Sequence, residues 1–129
     1  MTIREFEDKY YLHDSSIVKV SFDDDKKILT LEIFFCFWMQ DWYKKSEPSN
    51  GLIRVTFKNV SHVEYDEHSL ENNLADLDIE ILDIDVDKNG TLILGTVDYG
   101  MNRGLCDGYY QLKINAANVE VEELARYNL

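Results

Sequence analysis

The chain has little of what would staple, stiffen or anchor it. One proline, six glycines and two cysteines in 129 residues leave no proline-rich linker and no disulfide framework. Positive charge is scarce as well: 13 Lys and Arg stand against 25 Asp and Glu, a formal net charge of −12. Nucleic acid and anionic membrane both require a cationic footprint on the protein, so this balance argues against either as a partner. The longest apolar run, Ile33–Met39, is far too short to cross a bilayer. The opening MTIREFEDKYYLHDSS is charged and carries no apolar signal region. These absences predict a soluble, reduced, cytoplasmic protein.

What is present is hydrophobic material arranged with a period of two. The composition is 45% hydrophobic, and a single domain over 1–129 of this length buries enough surface to need no metal or disulfide. In IVKVSF, Val18, Val20 and Phe22 share one face and Lys19 and Ser21 the other, the alternation of a half-buried strand. In ILTLEIFFCFWM, Leu29, Leu31, Ile33, Phe35, Phe37 and Met39 form one apolar face. The opposite face begins polar with Thr30 and Glu32 and turns aromatic at Phe34 and Trp38. A second layer, a helix or another subunit is expected to cover that aromatic half.

LIRVTFKNV alternates again, with SHVEY continuing it after a kink near Asn59. The C-terminal half reads as strands in DIEILDIDV, TLILGTVDY, YYQLKINA and NVEVEEL. The apolar phase slips between Ile81 and Leu82, and again between Ala116 and Val119, as a bulge or a strand passing between sheets requires. Two short helical patterns interrupt the strands: Ile3, Phe6 and Tyr10 share a face, as do Leu70, Leu74 and Leu77 behind Ser69 as N-cap. The expected fold is mainly β: two packed antiparallel sheets or a partly closed barrel, with one or two short helices.

Several stretches imitate chemical motifs. DIDVDKNGTLIL places Asp85, Asp87, Asn89 and Gly90 as in half of a calcium-binding loop. Position twelve is Thr96, however, which supplies no bidentate carboxylate, and both flanks alternate as strands do. The reading is a hairpin turn closed by Gly90. In SHVEYDEH, an extended chain aligns His62, Glu64, Asp66 and His68, but four groups in line do not converge on one ion. LHDSS sets His13, Asp14 and Ser15 in succession; consecutive residues cannot stack as a hydrolase triad. They read as a turn in which Asp14 and Ser15 bond local amides. No catalytic residue, metal ligand or cofactor site is expected.

Aromatic residues and one loop remain as candidate binding groups. YGMNRGLCDGYY combines Gly100, Gly104 and Gly108 with Tyr99, Arg103, Tyr109 and Tyr110. Cys106 has Asp107 beside it and no fixed cation, so a reactive thiolate is unsupported. Phe34, Trp38, Trp42 and Tyr43 cluster around the end of the second strand and its following loop. Tyr, Trp and Arg are the residues from which interface hot spots are built. The expected binding residues are therefore Phe34, Trp38, Trp42, Tyr43, Tyr99, Arg103 and Tyr109. The expected function is non-catalytic protein binding, either to a partner or by self-association. The alternative is a small-ligand or enzymatic pocket lined by Trp38, Tyr99, Arg103 and His62.

The order HDSSIVKV, ILTLEI, LIRVTFKNVSHVEY and LKINAANVEVEEL resembles the small, acidic, β-rich bacterial domains of unknown function that include some polymorphic-toxin immunity proteins. Their HD-S-x-I start, V-x-F-x-x-V middle and x-I-x-A-x-x-V-x-V-E-E end are similar in kind. HSLENNLADLD and the glycine-rich loop fall outside that pattern. The resemblance implies a β-dominated domain with no established catalytic residues to carry over; taken with the net charge of −12, it makes a basic toxin the expected candidate partner.

Overall fold

The N-terminal residues form a helix because Thr2 and Glu5 cap each other. In the computed structural model, which describes residues 1–65, 73–74, 77–98 and 108–127, α1 spans Ile3–Lys9. The Thr2 hydroxyl accepts the Glu5 amide at 3.1 Å and the Glu5 carboxylate accepts the Thr2 amide at 2.9 Å, so two amides that a helix start leaves open are satisfied. Ile3 and Phe6 point inward and are buried. The Phe6 ring meets Phe57 edge-on at 6.1 Å, and Tyr10 meets Phe35 at 5.9 Å.

The strands are β1 (Ser16–Asp23), β2 (Ile28–Cys36), β3 (Asn50–Tyr65), β4 (Asn73–Leu74), β5 (Ile79–Val86), β6 (Leu92–Asp98) and β7 (Gly108–Tyr127). Their order is β2-β3-β7-β6-β5-β1, and β1 returns to pair with β2, which closes a barrel of antiparallel strands. The fold is thus the mainly β, barrel form of the expectation. Closure between β5 and β1 rests on Ser16 opposite Glu80 and Ile17 opposite Ile79. It is extended by the Asp14 and Ile81 amides, each 2.8 Å from its acceptor, the Ile81 and Ser15 carbonyls respectively. Leu29, Leu31, Ile33 and Phe35 of β2 pack inside with Ile53, Val55, Phe57, Leu94 and Ile114, all buried. A barrel this narrow is filled by its own side chains.

The two longest strands, β3 with 16 residues and β7 with 20, curl together. Asn59 sits at φ 53°, a left-handed conformation that Asn tolerates better than most residues. On its two sides Phe57 and Val60 are both buried, opposite Val119 and Ala116. Each strand therefore reverses its apolar phase at the same point, and the sheet bends there. YYQLKINA and NVEVEEL are one continuous strand across that bend, not two. The slip at Leu82 is a bulge, since Ile81 and Asp83 face the adjacent residues Thr96 and Gly95.

Other expectations shift. A bulge between Ile17 and Lys19 puts Ile17, along with Val20, in the core. Strand β2 stops at Cys36, and Phe37–Met39 form a single 3-10 turn. Asn73 and Leu74 pair as a strand with Ser21 and Val20, where a helix was expected. Ser69 and Leu70 lie outside the described residues.

Because β6 has only seven residues, it covers only the start of β7, Gly108 to Ile114. Helix α1 packs against both β5 and β7 and fills the wall beyond. Met1 and Val119 exchange main-chain bonds there at 2.7 and 3.0 Å, and Arg4 donates to the Asp87 carbonyl at 2.8 Å. Phe6 is the side chain this helix inserts into the core. Phe6→Ala is expected to lower stability by about 3–5 kcal/mol, read as a fall in the urea midpoint with an unchanged slope.

Candidate functional site

On the outside of a barrel, a row of residues across the strands is set by register. One such row runs Ala125, Leu52, Phe34, Ser16, Glu80, Val97, Tyr109, each opposite the next on the neighbouring strand. It is apolar or small except at Glu80. The adjacent row differs: Glu122, Arg54, Glu32 and Lys19 alternate in charge, with Arg54–Glu122 at 3.5 Å and Lys19–Glu32 at 3.6 Å. Exposed pairs of this kind contribute at most about 1 kcal/mol each and keep that part of the wall solvated.

Phe34 and Tyr109, 75 positions apart in sequence, thereby stand in one row of the outer wall, four strand spacings or about 19 Å apart measured around the barrel. At one end the Tyr127 ring stacks on Phe34 with centroids 6.3 Å apart. The expected cover for the aromatic half of β2 is thus a residue of the chain's own last strand. Trp38 has no such cover. The 3-10 turn carries it off the strand face and leaves it 52% exposed, with its amide bonded to the Ser49 carbonyl at 3.0 Å. Tyr11, 50% exposed, stacks on His13 at 5.7 Å beside it in the fold. Gln40 ties these pieces together: its amide group donates to the carbonyls of Tyr11 and Cys36 and accepts from the Tyr11 amide, at 2.8 to 2.9 Å.

Beneath Trp38 lies Cys36, buried. Its amide donates to the Ser15 hydroxyl at 3.2 Å and its thiol faces the Asp14 carbonyl at 3.6 Å. The Ser15 hydroxyl therefore reaches across to β2 instead of bonding a local amide as the LHDSS reading expects, while its own amide bonds the Leu12 carbonyl at 3.0 Å within the turn. Burial pushes the Cys36 thiol up, a hydrogen bond from Ser15 opposes this, and the Asp14 charge adds to it. A thiol held neutral is a poor nucleophile. His13 Nδ1 is shielded from solvent and lies 3.3 Å from an Asp14 carboxylate oxygen without hydrogen-bond geometry.

Trp42 and Tyr43 belong to the scaffold, against expectation. The Trp42 ring packs edge-on to Tyr10 and Phe37, and its indole N–H donates to the Lys9 carbonyl at 2.9 Å, which clamps the end of α1. The Tyr43 hydroxyl donates to the Glu47 carbonyl at 2.9 Å and closes its own loop. Arg126 completes the clamp, with its guanidinium 3.9 Å over the Phe37 ring and bonded to Glu47 and Glu123. The hydrogen bond to Glu123, followed by the charges of Glu123 and Glu47, keeps its pKa raised against the opposing effect of burial.

At the other end, Tyr109 is 54% exposed and its ring tip lies on Gly95. A methyl group at Gly95 would collide with the Tyr109 hydroxyl and its ring carbon. The hydroxyl donates to Asp83 at 3.3 Å. Gly95 carried a legible signal, since a glycine inside a strand marks close approach by another group; sequence reasoning passed over it. Tyr99 and Arg103 lie outside the described residues, as do Asp66 and His68. The expected pocket does not form from what remains: Trp38 is bonded beside the start of β3, while His62 pairs with Asn115 near its far end. His62 contacts Glu64 at 2.8 Å instead. The DKNG segment is the expected hairpin, with Gly90 at φ 80° and the Asp87 carboxylate accepting the Asn89 and Thr91 amides. Among the described residues no helix is long and apolar enough to cross a membrane.

No family model, curated protein or solved structure matches the chain.

Two outcomes test this division of the aromatics. Trp42→Ala is expected to cost about 3 kcal/mol or more in urea unfolding, and Trp38→Ala under about 1 kcal/mol. In a Cys106→Ser background, Cys36 is expected to react with iodoacetamide at pH 8 at least about tenfold more slowly in native protein than in denaturant. The sign for stability follows: a thiol raised in the fold stabilises it below the unfolded value, and that contribution fades as pH rises through the folded one.

Proposed function

We propose that the chain is a non-catalytic, cytoplasmic protein-binding domain that neutralises a basic protein, in the manner of an immunity protein with its toxin. The observation that carries the reading is that Trp38, just past the end of β2, and Tyr109, at the start of β7, are left half-exposed on the outer wall. Large aromatics left open on a well-packed barrel are the side chains that anchor protein interfaces. The net charge of −12 sets the sign of the partner, because complementary fields raise association rates and reject like-charged competitors. Around Phe34 the outer wall carries only the small or apolar neighbours Ser16 and Leu52, so it suits a protein surface more than a small molecule, which takes a concave site. Chemistry is left to the partner: Cys36 is held neutral and Asp87 is committed to a turn.

The test is affinity purification of the tagged chain from its native host, followed by light scattering on the complex. A stoichiometric complex with one basic protein is expected. Trp38→Ala should weaken it roughly thirtyfold, about 2 kcal/mol, with the melting curve preserved. Recovery of the chain alone, or equal affinity for the variant, contradicts the reading.

A further inference from the structure

The end of the row at Tyr109 has a geometry that the other exposed aromatics lack. The ring is laid against the sheet because Gly95, opposite Asp83 and Gln111, has no side chain to hold it off. The ring tip meets Gly95, and more than half of the residue is open to solvent. The hydroxyl points along the sheet to Asp83, which is itself exposed. The positions around the ring in the register are Val97, Gly95, Gln111, Asp83 and Glu80. None of these carries a positive charge, and Asp78 just before β5 and Asp85 within it are both exposed.

An exposed tyrosine ring with a carboxylate at its hydroxyl is complementary to one kind of side chain. A guanidinium stacks on the ring while its N–H groups fork onto the carboxylate. An ammonium makes the charge contact without the stacking or the fork. We propose that the Tyr109 ring over Gly95, with Asp83 at its hydroxyl, is an arginine-docking site for the basic protein partner. This rests on the protein-binding reading and gives it a position, a residue type and a reason for Gly95. Docking replaces a solvent-exposed hydroxyl–carboxylate contact with a charged one, so specificity comes from the orientation of the ring.

The experiment is titration of an octa-arginine peptide into the full chain, by anisotropy at low salt, with octa-lysine as the comparison. Octa-arginine should bind more tightly than octa-lysine. Asp83→Asn and Tyr109→Ala should each weaken octa-arginine about tenfold or more, an amount that one good charge-assisted or stacking contact supplies. Tyr109→Phe, which keeps the ring, should stay within about threefold of the parent. Asp25→Asn, which removes the same charge at the β1–β2 turn, is expected to change affinity less than about twofold. Thermal melts of every variant separate loss of binding from loss of fold. Equal weakening by Asp83→Asn and Asp25→Asn would mean that only net charge is felt, and would overturn the site. So would retained affinity in Tyr109→Ala, or a dimer that Tyr109→Ala disperses, which would assign the ring to a second copy. If the peptide titration fails while a basic partner is still captured through Trp38, this site alone is wrong. If no basic partner is captured at all, the broader reading is wrong.

Discussion

The pairing of β3 with β7 is the constraint on which the rest of the structure depends. These strands run together from Asn50 opposite Tyr127 to Tyr65 opposite Leu112, and every other strand is hung from one of them directly or through a neighbour. A flat sheet of that length would expose half its apolar residues. The left-handed turn at Asn59, matched by the phase reversal between Ala116 and Val119, bends both strands at one place. The bend lets β2 lie along one half and β6 along the other, and the ends meet as β5 reaches β1. Closure removes most of the free sheet edge, and α1 covers the stretch that β6 is too short to reach.

A closed narrow barrel leaves function to its outer surface. The interior is occupied by Leu, Ile, Val and Phe side chains, so what the molecule can recognise is decided by outward positions. Those positions come in rows of different character. One is laced with ion pairs and costs little to keep in water. The next is nearly apolar, carrying Phe34 and Tyr109 and a single carboxylate, Glu80. Open rings stand close to carboxylates there, the combination on which the proposed docking of a cationic side chain rests.

Much of the fold was legible from period and phase. The alternation in ILTLEI and LIRVTF, the kink at Asn59, the slip at Leu82 and the turn at Gly90 are local signals, each arising from steric limits on one or two residues. Readings failed where the chain left strand geometry without announcing it. Trp38 and Met39 continue the alternation of β2, yet the strand ends at Cys36 because Gln40 and Ser49 offer its backbone other partners. Trp42 and Tyr43 looked like surface anchors by type. Their polar atoms instead bond main-chain carbonyls of Lys9 and Glu47, and no pattern of residues near them predicts which carbonyl will be in reach.

The sequence by itself determined that this is a β protein, where its sharp turns fall, and that its surface is acidic, because propensity, glycine placement and charge are properties of neighbours along the chain. Only the tertiary structure decided which aromatics are open and which residues share a surface. Phe34, Glu80 and Tyr109 are brought into line by the registers of strands distant in sequence, and the tip of Tyr109 comes down on Gly95, which leaves room for it. Register is a collective outcome of how the whole core packs. A shift of one residue on one strand would have turned the same side chains inward.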